Sequence, residues 1–180
     1  MTRLVLASKS PRRSEILKTA GFEFTVRTAP TDESLPENIS PKEAVMLLAK
    51  RKAEAVKREK DEIILGADTL VCLEGKILGK PQSRSEAQKM LEALSGKTHY
   101  VYTGVCGIDS EGETLFCEET AVKFSQMDKE EISAYLDTGE SMDKAGAYGI
   151  QGYASRFIEG IKGDYFNVVG LPLRAVYEKI

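Results

Sequence analysis

The sequence predicts an α/β fold with a mixed sheet, and three observations carry that reading. Strand-like and helix-like patterns alternate along the chain, helix starts are marked by cap residues with proline or glutamate at the expected offsets, and no internal repeat, low-complexity tract or linker breaks the alternation. With 180 residues, 42% hydrophobic and 29% charged, the chain suits one compact domain over residues 1–180, with room for two lobes sharing a core.

Residues 3–7 read as the first strand. Ser10 as N-cap and Pro11 at the first helical position open a helix whose buried stripe is Ile16, Leu17 and Ala20 and which stops at Gly21. Residues 22–27 return to extended structure, and a turn-rich loop over residues 29–38 contains Asp32 and Glu33. Ser40 and Glu43 then bracket Pro41 as a capping box, starting a long helix expected to reach about residue 58. Residues 63–73 form an apolar run broken only by Gly66 and Asp68, the pattern of a buried strand with something unusual in its middle. Gly75 turns the chain toward Ile77 and the segment Gly79, Lys80, Pro81. Ser83 and Glu86 suggest a second capping box before a helix with Ala87, Met90, Leu91 and Leu94 on one face, closed by Gly96. Residues 100–108 and 114–124 look like paired strands around a turn at Ser110, Glu111 and Gly112, and Asp128 caps a short helix. Residues 139–170 hold seven of the fifteen glycines, which reads as loops where backbone comes close to a ligand, before a last helix from about Pro172.

Composition narrows the chemistry. No stretch approaches the roughly 18 consecutive apolar residues of a membrane helix, and the start of the chain lacks a signal-peptide layout, so a cytoplasmic protein is expected, with no membrane partner. Cys72, Cys106 and Cys117 are odd in number and lack C-x-x-C spacing, so they read as small core residues. His99 is the only histidine, which argues against a zinc cage and against a histidine-based hydrolytic triad; a catalytic metal would be oxygen-ligated, Mg²⁺ or Mn²⁺. The net charge of −3 argues against a nucleic-acid binder. Yet residues 1–20 carry Arg3, Lys9, Arg12, Arg13 and Lys18 against Glu15 alone, a local +4 that points to an anionic ligand.

Several side chains are candidates for that ligand. Ser8, Ser10, Arg12 and Arg13 surround a proline-started helix N-terminus, whose first amides have no intrahelical partner and favour an anion. The alternative is that both arginines are solvated or satisfy surface carboxylates. Lys52 falls inside the apolar stripe of Val45, Leu48, Ala49, Ala53 and Val56, so it either snorkels to the rim or reaches a charged cavity. Asp68, flanked by apolar residues, needs a metal or basic partner unless it merely caps a strand end. Glu33 and Asp32 could complete an oxygen-ligand set or be ordinary turn residues. Lys80, before Pro81, projects from a loop edge, and Gln151, between Gly149 and Gly152, offers a donor and an acceptor suited to a base edge.

Together the segments LASKSPRR, TDES, LGADTLV, GKP, GAYGIQGYAS and GDYFNVVGLP closely resemble the Maf family of nucleotide pyrophosphatases. The resemblance implies a fold like that of inosine triphosphate pyrophosphatases, with a central cleft between two lobes, a homodimer, a divalent cation (Mg²⁺ or Mn²⁺) and a housekeeping role. It implies Asp68 as the catalytic proton acceptor, and Ser8, Arg12, Arg13, Glu33, Lys52 and Lys80 as the phosphate and metal environment, with Glu33 and Asp68 as metal ligands. Thr69 after that aspartate and Gln151 in the GIQG segment resemble the subgroup acting on dTTP and UTP, which makes Arg12, Thr69 and Gln151 candidates for specificity. The expected reaction turns a pyrimidine nucleoside triphosphate into its monophosphate and pyrophosphate. A nucleotide-sensing regulator of septum formation and a small-metabolite phosphatase use the same residues and stay open as alternatives.

Overall fold

The computed structural model describes residues 3–180. Its elements, in order, are β1 (Arg3–Leu6), α1 (Pro11–Thr19), β2 (Phe24–Val26), α2 (Pro41–Glu54), β3 (Glu62–Leu73), β4 (Lys76–Leu78), α3 (Arg84–Leu94), β5 (Thr98–Ile108), β6 (Glu113–Phe124), α4 (Lys129–Asp137), β7 (Ile158–Lys162), α5 (Tyr165–Val169) and α6 (Leu173–Lys179). Among the described residues the strands form one sheet in the order β2-β1-β3-β5-β6-β7, with β4 paired to β3. β1 runs parallel to both β2 and β3, while β3–β4 and β6–β7 are antiparallel, so the sheet is mixed as the sequence predicts. No helix among the described residues is long and apolar enough to cross a membrane.

The chain packs as two compact units. The first comprises the residues up to Thr69, Thr103–Glu118 and Gly170–Ile180; the second comprises Leu70–Tyr102 and Glu119–Val169. In the first, Val5, Ala7, Ala49, Ala53, Ile64 and Cys106 form a buried cluster joining α2 to the strands. In the second, Leu91, Leu94, Val122, Phe124, Tyr135 and Phe157 belong to a larger core. Burying aliphatic and aromatic side chains on this scale is the main drive to fold each unit.

Local chemistry explains most boundaries. Ser40 accepts from the Glu43 amide at 3.3 Å and the Glu43 carboxylate accepts from the Ser40 amide at 3.2 Å, the reciprocal capping box expected at the start of α2. α2 ends at Glu54 rather than near residue 58, because Val56 drops into the core, its amide tightens onto the Ala53 carbonyl at 3.2 Å, and Arg27 captures the Lys57 carbonyl. The box before α3 is only half formed: Ser83 accepts from the Glu86 amide, but the Glu86 carboxylate serves the Gln82 amide instead. Ser10 caps α1 by position without a side-chain bond, and it is Ser8 Oγ that accepts from the Ser10 amide at 3.2 Å. The glycine-rich segment 139–170 contains more than loops, with 3-10 turns at Ala145–Ala147 and Tyr153–Phe157 followed by β7 and α5. Three residues per 3-10 turn and a five-residue edge strand are too short to leave a periodic signature in sequence.

Two glycines are required by close approach. A Cβ at Gly66 on β3 would collide with the Ala49 carbonyl and crowd the Ala53 amide, and one at Gly104 on β5 would strike the Val45 carbonyl. Glycine at these strand positions lets α2 lie directly on the sheet.

Candidate active site

β1 delivers the chain to Ser8, which is 6% exposed and lies where the strand turns into α1. Arg13, one turn into α1, points inward rather than to solvent. Its Nε donates to the Gly170 carbonyl at 2.8 Å, Nη1 to Ser8 Oγ at 3.0 Å and Nη2 to Thr69 Oγ1 at 3.1 Å. Burial lowers the pKa of this guanidinium and the nearby Asp68 carboxylate raises it again; an arginine stays charged under either influence. Arg12, its neighbour, is half-buried.

Near that cation, α2, β3 and the loop before α2 bring together a lysine and two acids. Lys52 Nζ lies 2.5 Å from Asp68 Oδ1 and 3.0 Å from Glu33 Oε1. Asp68 is buried, Lys52 is mostly covered and Glu33 is exposed. The geometry resolves the open reading of Lys52: an ammonium on an apolar helix face is tolerated because it reaches a buried carboxylate. Asp68 in turn tolerates burial because it has the Lys52 ammonium in hydrogen-bond contact and the Arg13 guanidinium near enough to act on it electrostatically. The tight seat of α2 over Gly66 makes that pairing possible, since Lys52 follows Ala49 by three residues and Asp68 follows Gly66 by two.

Asp32 belongs to the loop rather than to this cluster. Its carboxylate accepts from the Ser34 amide at 2.9 Å and the Ser34 hydroxyl at 2.8 Å, which lowers its pKa, and it lies 3.7 Å from Arg51. Lys80 and Gln151 lie in the second unit, both exposed. There the Gly146 amide donates to the Gly79 carbonyl at 3.1 Å, tying the loop of Lys80 to the glycine-rich segment that leads to Gln151. Gly146 and Ala147 both take positive φ, 69° and 63°, a conformation an alanine adopts at some cost.

Three features escaped the pattern analysis. Thr103, on β5 and fully buried, meets Thr69 with hydroxyl oxygens 2.9 Å apart. The Gly170 carbonyl receives Arg13 from 157 residues away. Glu62, 2% exposed by side chain, takes both Arg27 Nη atoms at 2.9 and 3.0 Å and the Glu59 amide at 2.9 Å, which holds its carboxyl down at about 2. Long-range partners of this kind have no sequence period to betray them. Of the cysteines, Cys72 and Cys106 are buried as expected, with burial pushing the Cys106 thiol up to about 12, while Cys117 is half-buried. His99 is wholly buried, its Nε2 2.6 Å from the Tyr148 hydroxyl and its ring edge-on to Phe124, a core role.

Fold and site define an α/β protein in which a buried carboxylate, paired with a lysine and close to an arginine, adjoins the proline-started N-terminus of a helix. The chain belongs to the Maf family: the model described as "Maf-like protein" matches residues 3–180. It is 49% identical over 181 aligned residues to the "dTTP/UTP pyrophosphatase" of Geobacillus sp. (strain WCH70), covering 100% of this chain and 97% of the relative. The protein of the same name from Symbiobacterium thermophilum is also 49% identical, over 100% of this chain and 93% of its own length. Among solved structures, the Staphylococcus aureus Ham1 protein is similar over 68% of this chain and 72% of its own, with a TM-score of 0.49 and 14% identity.

Proposed function

We propose that this protein hydrolyses dTTP and UTP to the nucleoside monophosphate and pyrophosphate, acting in the cytoplasm as a homodimer on a dissolved nucleotide. The observation that carries the reading is the buried Asp68 carboxylate gripped by Lys52 within the field of Arg13, in a chain whose near-full-length relatives bear that name. Asp68 is the proton acceptor. Lys52 occupies Oδ1 and leaves Oδ2 to orient a water toward the α-phosphorus and take its proton. Arg13 spends three of its N–H groups on the protein, so it acts as a fixed positive charge that also aims Ser8 Oγ, with two N–H groups left for phosphate oxygens. Arg12, Lys80 and the first-turn amides of α1 supply further charge, and electrostatic positioning of this kind is the principal contribution to phosphoryl-group transfer.

A divalent cation fits the residues present. No group of three or more His, Cys, Asp or Glu among the described residues is placed to hold an ion alone, but Asp68 and Glu33 come together at one lysine that takes Oδ1 of the first and Oε1 of the second, which leaves one oxygen of each, and Mg²⁺ is commonly held by one or two carboxylates with the remaining positions taken by phosphate oxygens and water. Asp68 and Glu33 would hold it, and when bound it offsets the charge that develops on the departing pyrophosphate. Specificity rests on Arg12, Thr69 and Gln151. A glutamine amide pairs with the O4 and N3–H edge shared by uracil and thymine and mismatches the amino group of cytosine.

Incubating the protein and an Asp68→Asn variant with a nucleotide panel and Mg²⁺ or Mn²⁺ tests the reading. Pyrophosphate released from dTTP and UTP and abolished in the variant is the expected result. Orthophosphate as first product would replace the reading with a phosphatase, and absence of turnover with a nucleotide sensor.

A further inference from the structure

Thr69 Oγ1 sits at the centre of three hydrogen bonds. Arg13 Nη2 donates to it at 3.1 Å, and arginine has no other polarity to offer. The Gly170 carbonyl, an oxygen that already accepts Arg13 Nε at 2.8 Å, lies 3.4 Å away, within reach of its proton. Thr103 Oγ1 is the third neighbour, at 2.9 Å. A hydroxyl has one proton and two lone pairs. Either hydroxyl of the Thr69–Thr103 pair can be the donor; when the Thr69 proton points to Gly170 and Arg13 holds one lone pair, the second lone pair takes the Thr103 proton.

We infer that Thr103, buried on β5, is a specificity-positioning residue: by donating to Thr69 it saturates that hydroxyl as an acceptor and leaves it able to offer substrate a proton only. The long bond to Gly170 is the weakest of the three, and the carbonyl keeps its Arg13 partner when Thr69 turns away, so that proton can be handed to a substrate carbonyl at small cost. A donor-only hydroxyl matches the carbonyl oxygens of uracil and thymine and rejects the amino group that cytosine carries at the same ring position. Without Thr103, a lone pair on Thr69 is freed, and the hydroxyl can accept from an amino group as readily as it donates. The inference rests on the proposed role of Thr69 at the base.

A double-mutant cycle tests it: kcat/KM on UTP and CTP for Thr103→Val, Thr69→Ala and the double variant, with Thr103→Ser as the conservative control. Thr103→Val is expected to narrow the UTP to CTP ratio roughly three- to tenfold, the discrimination one buried hydrogen bond supports. Thr103→Ser restores the ratio, and Thr103→Val adds nothing in the Thr69→Ala background. Equal losses on both nucleotides, or the same loss with Thr69 already removed, would overturn the inference and leave Thr103 a packing residue. A Thr69→Ala variant whose ratio is unchanged would instead remove the underlying role of Thr69, and the inference with it. Should Thr103→Val not fold, as judged by its thermal transition, Thr103→Ala carries the same cycle.

Discussion

A single ammonium group pairs with the acid proposed as the proton acceptor. Lys52 is bonded to Asp68 directly, and Arg13 acts on it electrostatically from within the protein. Replacing Lys52 with methionine keeps the volume and removes the charge, leaving a buried carboxylate with its nearest partner gone. Breaking a buried pair from one side costs roughly 3 kcal/mol, and loss of the charge beside the proposed proton acceptor is expected to cost about 100-fold or more in kcat. The Lys52→Met/Asp68→Asn double variant separates the two effects: denaturant unfolding should recover part of the lost stability, while turnover stays abolished. If Lys52→Met retains near-normal kcat, the lysine is structural. The residue scale also marks what could be read in advance. Asp68 and Lys52 were legible as charges in apolar company, whereas Thr103, an ordinary strand threonine by sequence, gained its part from Thr69 on β3.

At the scale of elements, the contact between α2 and the sheet is what brings the lysine to the acid. Gly66 and Gly104 remove the Cβ atoms that would hold the helix off β3 and β5. Gly66→Ala places a methyl group against the Ala49 carbonyl and the Ala53 amide, so the backbone of α2 has to move. Overpacking of this kind costs about 1–3 kcal/mol, and a shift of about 1 Å at the site can cost on the order of 100-fold in rate. We expect a lowered melting temperature and a kcat reduced by at least tenfold; a variant with wild-type kcat would mean that the seat of α2 does not set the Lys52–Asp68 geometry. The helix starts were plain in the sequence because proline and capping residues act within one turn. The end of α2 was not, because Arg27 and the burial of Val56 act there from outside the helix.

For the molecule as a whole, the lone histidine governs stability near neutral pH. Burial in the second unit keeps His99 neutral down to about 4, while in the unfolded chain it titrates near 6.5. Between those values the unfolded state binds the extra proton, so stability is complete above pH 6.5 and falls as the pH drops toward 4, by on the order of 3 kcal/mol. The Glu62 carboxyl, depressed to about 2 by Arg27, contributes stability that is complete above the ordinary value of 4.5 and is lost progressively as the pH falls from there to about 2. Loss of stability in mild acid is therefore expected to begin with His99. Urea midpoints for the wild type should fall between pH 7 and pH 5, and a His99→Gln variant should be flatter over the same interval; equal wild-type midpoints at the two pH values would contradict this.

By itself the sequence determined the alternation of strands and helices, the positions of the caps, the family, and the identity of the charged residues in apolar settings, because each of these is written in spacing or in motifs a few residues long. The tertiary structure alone decided which groups meet: that Lys52 turns to Asp68 and Glu33, that Arg13 is spent on Ser8, Thr69 and Gly170, that Glu62 is clamped by Arg27, and that the Thr103 hydroxyl meets that of Thr69. Hydrogen bonds and ion pairs between residues far apart in the chain depend on distances of a few ångströms set by packing, and no local pattern encodes those distances.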